Sequence, residues 1–141
     1  AAAAALLLSV EMAAACDPGV VELRGPFGTA RFNVDVADEP EERSRGLMFV
    51  EEMPSSQGML FLYDRPQRAT FWMKNTYLPL DLLFIDEGRV VGIIANAEPM
   101  STTSRTVDVP AALVLEVNAG FCRAHGIQVG TPVRVLERAP F

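Results

Sequence analysis

The chain has 141 residues, half of them apolar, and carries 12 Lys plus Arg against 18 Asp plus Glu, for a formal net charge of −6. That length supports one hydrophobic core, whereas two domains would each be marginal. An acidic chain without a basic cluster disfavours nucleic acid as a partner, because that binding rests largely on phosphate neutralisation.

The opening AAAAALLLSVEMAAAC, residues 1–16, differs from everything after it. An apolar run ending in small residues matches the hydrophobic region and cleavage site of a secretory signal. Glu11 interrupts the run too early for a membrane span, which needs about 20 apolar residues. A periplasmic or secreted protein is therefore expected, with residues 1–19 as leader and linker, 20–137 as a single β-rich domain and 138–141 as a tail. An Ala-rich helix docked on the domain is the structural alternative. Cleavage after Ala15 would leave Cys16 first, and the small-small-Cys boundary raises a lipid anchor and an envelope lipoprotein. A disulfide between Cys16 and Cys122 is a competing use, the two exclude each other, and two free thiols are the remaining alternative.

VVELRG (20–25) reads as a strand, and TARFNVDVAD (29–38) alternates apolar and polar residues as a strand with one wet face should. GPFG between them predicts a hairpin turn. Pro40, Glu41 and Glu42 suit a helix start and Gly46 its end. MLFLY (59–63) and ATFWM (69–73) read as paired strands around DRPQR. LDLLFIDEGRVVGIIANA (80–97) is the clearest hairpin, turning at DEG. Residues 98–111 lack sustained periodicity, while VDVPAALVLEV (107–117) returns to strand character. Asn118 is placed to cap a short helix in AGFCRAH, with Gly126 ending it, and TPVRVLER (131–138) is the final strand. The sum is a mainly β domain, a compact antiparallel sandwich or barrel-like fold with two short helical insertions.

FWMKNT (71–76), followed by PLD (79–81), is the candidate ligand patch. Lys74, the only lysine, either snorkels from an apolar surface or reaches an anionic ligand. Asn75 offers a donor and an acceptor, and Asp81 can accept bonds or pair with Lys74; both could equally serve only to build the turn. Alternation sends Phe71 and Met73 to one side, as core, and Trp72 to the other, as a pocket wall or stacking platform. Glu116 could accept bonds from Arg45, Arg105 or Lys74, although the alternation around it favours a wet-face glutamate. Cys122 and His125 share a helix face, yet one such pair makes neither a hydrolase nor a zinc site. No phosphate-binding glycine loop, dinucleotide fingerprint or multi-cysteine motif is present, so no cofactor is expected.

Taken together, RSRGLM (43–48), GMLF (58–61), FWMKNT, PLD, LEVNAG (115–120) and GIQVG (126–130) resemble the bacterial and archaeal domain-of-unknown-function family numbered one hundred and ninety-two, over about residues 20–137. The resemblance implies a compact β-sandwich or barrel-like domain and, in many members, an export signal. It implies no reaction, ligand or catalytic residue. Arg45, Gly46, Met48, Trp72, Lys74, Asn75, Asp81, Glu116 and Asn118 fall in the characteristic segments. A cysteine-bearing loop found in some relatives after the place of Pro99 is here MSTTSRT, which weakens any metal or disulfide built on it.

The function expected is a noncatalytic binding or accessory module with a patch at Trp72, Lys74, Asn75 and Asp81, supported by Arg45, Glu116 and Asn118. Its partner would be a small molecule, a saccharide or an envelope component. A hydrolytic envelope enzyme using the same region and a protein-interaction module are the alternatives.

Overall fold

The computed structural model describes residues 16–136, so the leader-like stretch before Cys16 and the tail 138–141 lie outside the described residues. In chain order the elements are β1 (Asp17–Gly25), β2 (Gly28–Ala37), α1 (Pro40–Arg45), β3 (Gln57–Gln67), β4 (Leu80–Asp86), β5 (Arg89–Ala97), β6 (Ala111–Asn118), α2 (Phe121–His125) and β7 (Val133–Leu136). The strands form one seven-stranded sheet in the order β5-β4-β6-β3-β2-β1-β7. This is the mainly β domain with two short helices that the sequence indicates, built as a curled half-barrel.

The curl brings the two sheet edges together at the approach to β7. Val90 donates its amide to the Thr131 carbonyl at 2.9 Å and Val133 donates to Gly88 at 2.8 Å, while Arg89 bridges Pro132. Edge amides that would otherwise be open are thus partnered. One neighbour pair departs from the antiparallel expectation: β2 runs parallel to β3, from Asn33 opposite Gln57 to Ala37 opposite Phe61. A parallel return needs a crossover, and α1 with residues 46–56 supplies it.

Alternation along β4 and β6 sorts the core into two layers. Leu83, Ile85, Leu115 and Val117 join Val21, Leu23, Phe32 and Cys122 inside the curl, beneath α2. Leu82, Phe84 and Val114 face the other way and pack with Phe61, Met73 and Leu47. Both faces of the central strands are therefore covered.

One expected strand and one expected turn fail. ATFWM is a loop in which only Phe71 makes a β-bridge, to Arg105, and β3 continues through DRPQR to Gln67. The 69–78 segment does not pair beside β3 because its inward side chains, Phe71 and Met73, lie across the second apolar layer. Its backbone bonds instead to the 98–105 loop: Phe71 exchanges both bonds with Arg105 at 2.8 and 2.7 Å, and Met73 donates to Ser101 at 2.8 Å.

The hairpin turns at Pro26–Phe27 and Glu87–Gly88 lie where the sequence places them, and α1 starts at Pro40. Glu42 accepts from the Asp38 and Glu39 amides at 3.1 and 3.0 Å, fixing the helix entry. Gly46 ends the helix with φ 51, and a side chain there would also meet the Phe61 ring.

Asp81 binds three elements together. Wholly buried on the inner face of β4, it accepts from the Asn96 amide of β5 at 2.9 Å and from the Cys122 amide of α2 at 3.0 Å. Asn96 itself is left-handed, φ 54, beside a register irregularity in the β4–β5 pairing. Replacing Asp81 by Ala strands the buried Cys122 amide and the partly buried Asn96 amide. Chemical denaturation should show a loss of about 2–4 kcal/mol, and unchanged stability would show that this carboxylate does not secure α2.

Candidate functional site

The second apolar layer does not close completely. Between α1 and the 69–78 loop it leaves a cavity of about 440 Å³, floored by β6 at Glu116 and by Leu80 of β4. Phe61, Phe71 and Met73 form apolar walls, and Tyr63, Thr70 and Thr76 add hydroxyls. A shallower groove lies outside it, between α1 and the same loop, lined by Pro40, Ser44, Arg45, Trp72, Lys74 and Asn75, with Glu41 and Met48 at its margins. Arg45 and Trp72 border both spaces, so they stand at the passage from groove to cavity.

Glu116 is the unexpected member. It is 5 % exposed, not on a wet face, and none of Arg45, Arg105 or Lys74 pairs with it. On β6 it lies between Met59 of β3 and Leu82 of β4, and a Cβ placed at neighbouring Gly58 would stand only 2.5 Å from its carbonyl oxygen. Burial with no compensating cation raises its pKa from the usual carboxylate range to about 8. The carboxyl is therefore largely protonated at neutral pH. Its neighbour Tyr63 is also pushed up, first by burial, with Arg43 opposing the shift and Glu116 adding to it.

The two arginines of α1 differ in role. Arg43 donates to the Asp38 and Leu62 carbonyls at 2.7 and 3.0 Å and lies 5.2 Å over the Tyr63 ring, which fastens the helix to β3. Arg45 is exposed; its carbonyl accepts from the Met48 amide at 3.0 Å, while its guanidinium makes no hydrogen bond or ion pair among the described residues. Lys74 rests over the Trp72 ring at 5.1 Å, an exposed cation–π contact. Trp72 is 46 % exposed while Met73 is buried, so the inward and outward alternation survives without a strand.

The rim is held from both sides. Asn75 adopts the left-handed region with φ 55, a conformation asparagine tolerates, and its carbonyl accepts from the Phe49 amide at 2.9 Å. Thr76 donates its hydroxyl to the Lys74 carbonyl at 3.1 Å, and its own carbonyl accepts from Met100 at 3.0 Å. Asn75 is thus a turn former whose side chain also lines the groove.

The structure brings Trp72, Lys74, Asn75, Arg45 and Glu116 to one cavity and its mouth, and leaves Asp81 and Asn118 elsewhere. Asp81 points to the opposite sheet face and does not pair with Lys74. Asn118 does not cap α2, whose N-cap is Gly120; its amide donates to the Met53 carbonyl at 2.7 Å and ties β6 to the 47–53 loop. Cys16 and Cys122 are both free thiols rather than a disulfide, and they pack in different layers. Burial beside Asp81 pushes the Cys122 thiol up to about 12, which leaves it unreactive at neutral pH. His125 stacks on Phe121 and is used as a packing group. Among the described residues no His, Cys, Asp and Glu cluster could hold a metal ion, and no helix is long and apolar enough to cross a membrane.

The described residues form a compact β domain, a curled sheet with a small cavity floored by one buried carboxyl. The chain belongs to the DUF192 family, described as "Uncharacterized ACR", whose model it matches over residues 22–135. It is similar to the crystal structure of a Sinorhizobium meliloti 1021 protein described as a candidate transcription regulator, at 36 % identity and a TM-score of 0.82, covering 86 % of this chain and 95 % of that one. It is also similar to a Novosphingobium aromaticivorans DSM 12444 protein of unknown function, at 39 % identity and a TM-score of 0.78, covering 83 % of each chain. No curated protein matches the chain.

The buried Glu116 ties stability to pH. An acid whose folded pKa lies above its unfolded value favours the fold at low pH, and that contribution is lost as pH rises from about 4.5 through about 8. Glu116→Gln keeps the shape and removes the titration. Its stability should fall less than the wild type's across this window, with a relative gain on the order of 4 kcal/mol by its upper end. Parallel pH profiles for the two proteins in chemical denaturation would contradict this placement of Glu116.

Proposed function

We propose that this domain is a noncatalytic binding module that takes a small molecule into the cavity between α1 and the 69–78 loop. The observation that carries this reading is Glu116, a buried carboxyl without a protein partner at the floor of an accessible space. No buried side-chain polar atom among the described residues lacks a partner, so the Glu116 oxygens open onto the cavity, and a ligand that bonds them there replaces water in a largely apolar setting. Trp72, Arg45, Lys74 and Asn75 form the mouth, where an exposed indole and unpaired cations suit ligand capture. Asp81 belongs to the scaffold in this reading, and Asn118 supports the 47–53 loop.

An enzymatic reading draws on the raised pKa of Glu116, which is how general acids are often tuned. It would need a second titratable group at proton-transfer distance. Tyr63 is the nearest candidate, and its pKa is driven further from neutrality. The regulator description of the Sinorhizobium relative would, for direct DNA contact, require a cationic surface that a chain of net charge −6 lacks overall.

Export to the periplasm or medium, with a lipid anchor at Cys16 as the alternative, is part of the same proposal and rests on the composition of residues 1–16. Intact mass of the protein recovered from its native host is expected to show cleavage before the β domain or a lipid on Cys16. An unprocessed cytoplasmic product would overturn it.

The binding reading is tested by thermal-shift and native mass-spectrometric screening of wild type, Trp72→Ala and Arg45→Ala. Both residues are exposed, so the variants should keep their stability to within about 0.5 kcal/mol. Compounds that shift the wild type are expected to lose roughly tenfold or more in affinity with each variant. If every wild-type response survives in both, the cavity mouth is not the binding site.

A further inference from the structure

The distribution of charge and hydrogen-bonding capacity along the cavity is uneven, and it narrows the ligand. At the mouth stand Arg45, whose guanidinium has no partner among the described residues, and Lys74, whose ammonium lies over the Trp72 face. Glu41 is the one carboxylate lining the outer groove. At the floor is Glu116, with no cation near enough to pull its pKa down. Between them run the apolar walls of Phe61, Phe71 and Met73.

We propose that the ligand is an organic monoanion with an apolar body and an uncharged oxygen acceptor at its far end. Its anionic group sits with Arg45 and Lys74 at the mouth, and its acceptor takes a hydrogen bond from the Glu116 carboxyl at the floor. The inference rests on the cavity being the binding site and assigns the class of molecule that fills it.

The groups facing Glu116 decide against the other ligand charges. From β3 come Met59, Phe61 and Tyr63, and from β4 Leu80 and Leu82. Across the cavity α1 contributes Arg43, already bonded to two carbonyls, and Arg45; the loop contributes Thr70, Phe71 and Met73. A cationic ligand end would have to pass the mouth cations, shed its water and ionise Glu116, all for one counter-charge in an apolar setting. A second anion at the floor would meet a carboxyl that can give a single proton, and Tyr63. An uncharged oxygen asks least: the protonated carboxyl donates to it, as a neutral buried acid can. Guanidinium at the mouth suits a carboxylate or phosphate in a forked geometry, and being exposed it retains water until the ligand arrives.

The test is calorimetric titration of the full chain with a matched series: 4-hydroxybutanoate, 6-hydroxyhexanoate and 8-hydroxyoctanoate, each against the alkanoate of the same length, the α,ω-diol and the ω-amino acid. At least one hydroxy acid is expected to bind, with the diol and the amino acid weaker by about tenfold or more. Arg45→Ala should erase the advantage over the diol. Glu116→Ala should erase the advantage over the plain alkanoate, whereas Glu116→Gln, which still offers a donor, should keep it. The wild type should also weaken for the hydroxy acid as the proton leaves Glu116 between about pH 7 and pH 9, and the Gln variant should not. Tighter binding of the diol or amino acid overturns the ligand class while leaving the cavity reading standing. Failure of every member to bind overturns the class as well, and the cavity reading then falls or stands by the wider screen with Trp72→Ala and Arg45→Ala.

Discussion

Everything distinctive in this domain depends on β4 and β6 being covered on both faces. A single sheet of this size normally buries one face and wets the other. Here the curl covers the inner face, and the 47–53 and 69–78 loops lie across the outer one, turning Met73, Leu47 and Phe71 against Leu82, Phe84 and Val114. Loops make a less complete lid than a second sheet, because their backbone amides and carbonyls must be satisfied as well as their side chains packed. Bonds between neighbouring loops do this: Phe71 with Arg105, Phe49 with Asn75, Met100 with Thr76. Where the lid meets α1 the packing stops short, and the cavity is what remains.

The same sheet carries two buried carboxyls with opposite fates. Asp81, on the inner face, has an amide donor for each oxygen, one from β5 and one from α2. Its bonds are directed, one to each oxygen, which is how a fold uses a buried carboxyl as a fastener. Glu116, on the outer face, has space above it and no donor. Both side chains interrupt apolar runs in the sequence, but only the partners that tertiary structure brings to them distinguish fastener from receptor.

That contrast sets what could be read from the sequence. Turn chemistry was legible at GPFG, DEG, Pro40 at the head of α1 and Gly46 at its end, which depend on a few neighbouring residues; DRPQR and Asn118 were not, because one continues as strand and the other is claimed by the Met53 carbonyl. Trp72, Lys74 and Asn75 were legible as an outward patch because alternation separates them from Phe71 and Met73. Glu116 was misread because alternation reports that two faces differ, not that either is wet. The better signal was the density of apolar residues in LDLLF and LVLEV, which is the mark of a strand covered twice. The run ATFWM looked like a strand for a related reason: aromatic and apolar residues that lie flat over a sheet have the composition of residues within one.

A cost argument connects Glu116 to function more firmly than its location does. Retaining an ionisable group at a site with no counter-charge lowers stability above the group's unfolded pKa, and a glutamine or an apolar residue of similar volume would avoid this. Gly58, which pairs with Val117 on the neighbouring strand, adds to the case, since the Glu116 carbonyl leaves no room for a side chain there and β6 lies hard against β3. The carboxyl is thus held in place by backbone packing below and left open above. In the proposed binding reading, a group fixed on a strand and facing a mouth of two long cationic side chains and one indole divides the work so that the floor sets orientation and the rim sets capture. Residues that only filled the layer would have no reason to be divided this way.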